Sequence, residues 1–185
     1  MSIQKELTIE AFLGGINEIL QQGFSTGTIH AYLQNTLIEP DSLQRYIFFR
    51  PERYTRNLVF KNEAFELLVI CWNIGQAAPV HGHEGERCWS RIEQGSLLLC
   101  NYRELSENPL MVQQIDQPYR GERGCLDGPA DIHSVANPAM AATPAVSLHL
   151  YCHPYDQCDI YDLDKNEKRR VRLRYDSIDG KVIQE

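Results

Sequence analysis

His81 and His83 stand one residue apart in this chain, with Gly75 before them, Cys88 after them and Gly95 closing the stretch. On a β-strand, positions i and i+2 point to the same face. An extended His-x-His therefore presents two imidazoles side by side, which is half of a metal site. Imidazole suits Zn, Cu, Fe and Ni alike. The pair alone also fits a surface strand with two solvated rings. A core strand is the poorer fit, because burying two imidazoles without partners is costly. A second polar cluster, Asp131-Ile132-His133-Ser134-Val135-Ala136-Asn137, lies downstream and offers a third imidazole.

Two further groups have chemically useful types. Arg56 sits in Tyr54-Thr55-Arg56-Asn57. A guanidinium fork matches a carboxylate through two charge-assisted hydrogen bonds, although an arginine on a strand, taken alone, is more often a solvated surface residue. Ser147, His149 and Tyr151 share strand parity, so their side chains share a face. An ordinary half-polar strand has the same pattern.

These spacings resemble the cupin superfamily. Gly75, His81, His83 and Gly95 fall at the positions of its first motif, with Cys88 where that motif usually has a glutamate ligand. His133 and Asn137 match the second motif, and Gly128-Pro129-Ala130 departs from its Pro-x-Gly. A three-histidine site without a carboxylate leaves a metal its full positive charge, which favours a soft anionic ligand such as thiolate. Together with Cys88, the Tyr-Thr-Arg-Asn run, Ser147-x-His149-x-Tyr151 and Tyr155-Asp156-x-Cys158, the chain from about Tyr46 onward resembles the cysteine dioxygenases.

The resemblance implies a mainly β fold, a cupin-type jelly-roll barrel behind a short helical segment. It implies Fe(II) held by His81, His83 and His133; the ligand set by itself leaves Zn, Ni and Mn open. It implies L-cysteine and O2 as substrates and cysteine sulfinic acid as product. Arg56 and Tyr54 would hold the substrate carboxylate. Ser147, His149 and Tyr151 would form a relay, and Cys88 would join Tyr151 through a thioether. The alternatives are a dioxygenase for 3-mercaptopropionate or cysteamine and a non-catalytic metal-binding cupin sensor. Arg56 and the Cys88/Tyr151 pair favour cysteine. One departure is Cys152-His153-Pro154, where better-known members read Ser-Pro-Pro; it adds a polar ring at His153. Cys158 is expected to be partly buried, without chemistry.

The chain has 185 residues, 43% hydrophobic and 23% charged, the balance of an ordinary globular protein. That is one domain by length, with helices over 1–48 and the barrel over 49–185. A net charge of −7 argues against nucleic acid as a partner. No apolar run reaches a membrane span and no leader pattern opens the chain. The six irregularly spaced cysteines then read as reduced thiols in a cytoplasmic protein, expected to be a monomer.

The positioning elements follow from periodicity. Ile9, Phe12, Leu13, Ile16, Ile19 and Leu20 predict an amphipathic helix over 8–22, stopped by Gly23. A second helix is predicted over about 26–37, and a third after Pro40 with Asp41 as its cap. Strands are predicted at 58–60, 65–72, 88–92, 96–102, 146–151 and 170–175, separated by turn residues. Many short strands of this kind make a sandwich or barrel, whose interior binds small ligands.

Overall fold

The computed structural model describes residues 5–23 and 25–184. Strand β1 (Lys5–Leu7) leads into helices α1 (Ile9–Gln21) and α2 (Thr26–Asn35), then β2 (Thr36–Ile38) and the short α3 (Pro40–Leu43). The barrel follows: β3 (Thr55–Lys61), β4 (Phe65–Trp72), β5 (Ala77–Gly82), β6 (Cys88–Gln94), β7 (Ser96–Glu107), β8 (Leu110–Gln114), β9 (Tyr119–Glu122), β10 (Leu126–Ala130), β11 (Ile132–Ala136), β12 (Ala145–Cys152), β13 (Gln157–Asp162), β14 (Glu167–Arg172), β15 (Ser177–Ile178) and β16 (Lys181–Val182).

Two seven-stranded sheets face each other. One runs β10-β6-β12-β4-β3-β15-β16; the other runs β14-β13-β5-β11-β7-β8, with β9 added against β7. This is the jelly-roll barrel of the cupins.

The helices explain why β4 and β12 are buried along their whole length. Thr8 caps α1 by accepting from Ala11 N at 3.2 Å, and Ile9, Phe12 and Ile16 are its buried face. That face, with Ile29 and Leu33 of α2, packs on Leu67, Val69, Cys71, Val146, Leu148 and Leu150. The alternate residues, Leu68, Ile70, Trp72, Cys88 and Tyr151, belong to a second cluster inside the barrel. Covering one face of the sheet with helices leaves the other free to line a cavity, and Ser147, His149 and Tyr151 fall on that inner face by parity.

Local differences from the sequence expectation have plain causes. The second helix ends at Asn35, because residues 36–38 pair with β1 in parallel register. Asp41 is not a cap: Glu39 holds the N-cap position and Pro40 the first turn. The last long strand starts at Glu167 and stops at Arg172, and Leu173 N turns to Asp156 O at 2.8 Å.

Candidate metal centre and substrate cavity

His81 lies near the end of β5, and His83 just beyond it. Strand β11 runs antiparallel beside β5 with His133 directly opposite His81, and the register slips between His133 and Val135. Such a bulge re-aims a side chain and is common beside functional sites. The three ring centroids stand 4.7–5.1 Å apart, and one ligand nitrogen from each ring lies within 4.8 Å of the others.

Each ring is turned by an acceptor behind it. His81 Nδ1 donates to Pro79 O at 2.9 Å, His83 Nδ1 to Asp131 O at 2.7 Å, and His133 Nδ1 to Asp127 Oδ2 at 3.0 Å. Carbonyls and a carboxylate only accept, so Nδ1 carries the proton and Nε2 is a bare lone pair. The Nε2 atoms of His83 and His133 are buried with no partner. Burial and the neighbouring His133 push His81 down to about 3 and push His83 well below the ordinary imidazole range. Neutral imidazoles with lone pairs converging on one point fit a divalent metal.

Asp127 is the residue that the sequence reading missed. It is buried on β10 and also accepts from Tyr119 Oη at 2.8 Å and Asn101 Nδ2 at 3.1 Å. Burial alone would raise its carboxyl, but the bonds from His133, Asn101 and Tyr119 outweigh that and hold it below the usual carboxylate value. Its one sequence signal is an acid inside an otherwise apolar strand start. Gly128, next to it, has φ +124°, and a Cβ there would lie 2.5 Å from Cys88 O. Only glycine lets β10 approach β6 so closely.

On the opposite sheet, Ser147 Oγ and His149 Nε2 are 2.8 Å apart, and His149 Nδ1 is 3.3 Å from Tyr151 Oη. Trp72 Nε1 donates to Ser147 Oγ at 2.9 Å, extending the row by one residue that the sequence did not signal. The same indole stacks on Tyr54, with centroids 4.6 Å apart at 25°. Burial pushes His149 down and Tyr151 up, so the row rests neutral. Cys88 stands directly opposite Tyr151 in the antiparallel register of β6 and β12, a geometry with Cβ atoms about 5 Å apart. Burial and Asp127 raise its thiol.

Arg56 of β3 lies over the Tyr151 ring at 5.7 Å. Burial disfavours its charge, but the electronegative oxygens of Tyr151 and Tyr54 and the Glu66 carboxylate outweigh this and keep the guanidinium protonated. Tyr54, Arg56, His81, Tyr151, Tyr155 and Cys158 share a cavity of about 40 Å³. That is room for only a few water-sized groups, so the space suits a small ligand. Tyr155 meets Tyr151 edge-on at 5.6 Å. His153 has φ +56°, and its Nδ1 lies 2.9 Å from Glu86 Oε2, joining the two loops at the rim. Asn137 sits away from the cavity: its Nδ2 donates to Trp72 O and Thr143 O, each at 3.1 Å.

Comparison with known proteins places this geometry in a lineage. A family model described as cysteine dioxygenase type I matches residues 7–164. The chain belongs to that family. Cysteine dioxygenase type 1 of Rattus norvegicus is 31% identical over 154 residues, covering 80% of this chain and 76% of the relative. The Homo sapiens enzyme of the same name is 30% identical over 184 residues, covering 94% and 90%. Among solved structures, a Thermus thermophilus protein aligns with TM-score 0.48 and 23% identity, over 60% of this chain and 93% of its own. A cupin superfamily protein of Desulfitobacterium hafniense aligns with TM-score 0.44 and 14% identity, over 58% and 84%. No described helix is long and apolar enough to cross a membrane.

Proposed function

We propose that this protein is an iron-dependent cysteine dioxygenase that adds both atoms of O2 to the thiol of L-cysteine, giving cysteine sulfinic acid. The observation that carries this is that one small cavity is lined both by His81 of the three-histidine cluster and by the Arg56 guanidinium. Family membership supports the reaction class. Fe(II) on His81, His83 and His133 would supply the binding of thiolate and the redox chemistry with dioxygen.

The chain's own side chains do the rest. Arg56 offers its fork to the carboxylate, with Tyr54 beside it, and so fixes which end of the substrate faces the histidines. The cavity walls exclude bulk water and limit the substrate to a small thiol. Tyr151 Oη presents a proton toward the cavity. Its hydroxyl is backed by His149, Ser147 and Trp72, so a proton can shift along that row without charging an isolated group. A Cys88–Tyr151 thioether would form by loss of one hydrogen from sulfur and one from the ring, two electrons passing to dioxygen. It would remove the rotational freedom of the phenol.

The test is oxygen uptake and sulfinate formation by iron-loaded protein with L-cysteine. Uptake matched one-to-one by sulfinate is the expected result; iron-loaded protein inert toward cysteine sinks the reading. Arg56→Ala should lose about 1.5–3 kcal/mol of binding for L-cysteine and leave any cysteamine turnover largely unchanged. Intact-mass analysis after many turnovers should find chains lighter by two hydrogens, absent in Cys88→Ser, which keeps measurable activity.

A further inference from the structure

Arg56 stands between two spaces. It lines the inner cavity with His81 and Tyr151 and also an outer groove of about 580 Å³ with Tyr54, Arg174 and Tyr175. Which space its guanidinium serves depends on what holds it. The nearest carboxylate is Glu66, whose Oε1 lies 3.7 Å from Arg56 Nη2.

Glu66 has no part in the chemistry described so far, yet it is 1% exposed. Charged side chains are almost never so buried unless they are paired. Its β4 position is opposite Tyr151 on β12 and opposite Lys61 on β3. Lys61, Glu66, Tyr151 and Cys88 therefore form one cross-strand row. Lys61 Nζ lies 3.6 Å from Glu66 Oε2 and donates to Tyr175 Oη at 2.9 Å.

The distance between Glu66 and Arg56 is informative. At 3.7 Å the pair is beyond hydrogen-bond length. Glu66 Oε1 accepts no hydrogen bond, and Arg56 Nε, also buried, donates none. The carboxylate thus balances the charge of the guanidinium without occupying its donors. A structural ion pair would close into a fork; this one leaves the fork open for another carboxylate.

We propose that Glu66 is a positioning residue for substrate recognition: it holds the Arg56 guanidinium on the cavity side of the sheet with its donors free, and so sets a preference for thiols that carry a carboxylate. The proposal rests on Arg56 being the carboxylate clamp. With Glu66 made neutral, the guanidinium loses its inner counter-charge and turns to the outer groove, where water solvates it.

Two measurements test this on the iron-loaded protein. The first is a thermal-stability cycle of Glu66→Gln, Arg56→Met and the double variant. The double should be more stable than the two single losses predict, because each single change deprives a buried charge of a counter-charge. Additive losses would overturn the coupling. The second compares KM and kcat for L-cysteine and cysteamine. Glu66→Gln should raise KM for L-cysteine about tenfold with kcat little changed, and leave cysteamine kinetics unaltered. Glu66→Asp, which keeps the charge, should fall between wild type and Glu66→Gln. An unchanged or lower KM for L-cysteine in Glu66→Gln overturns the role of Glu66. Equal losses on both thiols in Arg56→Ala instead overturn the clamp on which it rests.

Discussion

Arg91 and His133 are both about 1% exposed, and both carry polar atoms far from water. Arg91 lies on the helix side of the first sheet, and its guanidinium is held by partners of the fold: Nε and Nη1 donate hydrogen bonds, and Nη2 sits against the Glu93 carboxylate as an ion pair. Nε donates to Glu93 Oε1 at 2.6 Å, Nη1 donates to Leu33 O at 2.6 Å and to Thr36 O, and Nη2 lies 2.6 Å from Glu93 Oε1. Glu93 Oε2 accepts from Ile38 N at 3.2 Å. The cluster binds the carbonyls at the end of α2, where a cation is favoured, and fastens the helical segment to the barrel. His133 is also held from behind, but its front nitrogen is bare. A polar group that only braces the fold faces carbonyls and a counter-charge supplied by the fold. One kept for a ligand is oriented by its neighbours and left unfinished.

The largest expected effects separate these two regions. His133→Ala should abolish most iron binding and lower turnover on the order of 100-fold or more, with a folded protein by circular dichroism. Arg91→Met, by contrast, should cost about 3–5 kcal/mol of stability by stranding Glu93, while the folded fraction still binds iron. If Arg91→Met lost iron at unchanged stability, or His133→Ala unfolded the chain, the two regions would not differ in kind.

Asp127→Asn gives a smaller, graded effect, because Asp127 touches the metal site only through His133. Iron affinity should fall about 10–100-fold, measured by competition with a chelator. Unchanged affinity would mean that the backing bond on His133 is ornamental.

The smallest effect lies at the rim. Asp176 is 2% exposed, with Oδ1 3.0 Å from Arg50 and 2.7 Å from Arg53, and with Oδ2 accepting from Arg56 N at 2.9 Å. Burial raises its carboxyl, but Arg53, the Arg56 amide and Arg50 outweigh this and set it below the usual value. A depressed folded pKa contributes stability that is fully present above the unfolded value of about 3.9 and lost as pH falls through the folded one. Wild type should therefore exceed Asp176→Asn by about 2 kcal/mol at neutral pH. The difference between the two should shrink as pH falls from the unfolded value of about 3.9 through the folded one. A difference that stays constant would assign the effect to packing.

Much of this was legible in the residues themselves because strand parity and helical period are local. Alternation alone placed His81 beside His83 and put Ser147, His149 and Tyr151 on one face. The period of Ile9, Phe12 and Ile16 marked α1. The largely apolar run at 65–72 marked a strand. What the sequence could not express is which strand lies next to which, and in what register. Strand β5, Ala-Ala-Pro-Val-His-Gly, has little strand propensity of its own and exists through its pairing with β11 and β13. That pairing, slipped by a bulge, carries His133 to His81. The approach of β10 delivers Asp127. The adjacency of β4 to β3 and β12 sets Trp72 behind Ser147 and Glu66 beside Arg56. Residue types and parity reach only a few positions along the chain. Contacts between segments dozens of residues apart are decided by how two twisted sheets close over a shared interior, and that is where the site is assembled.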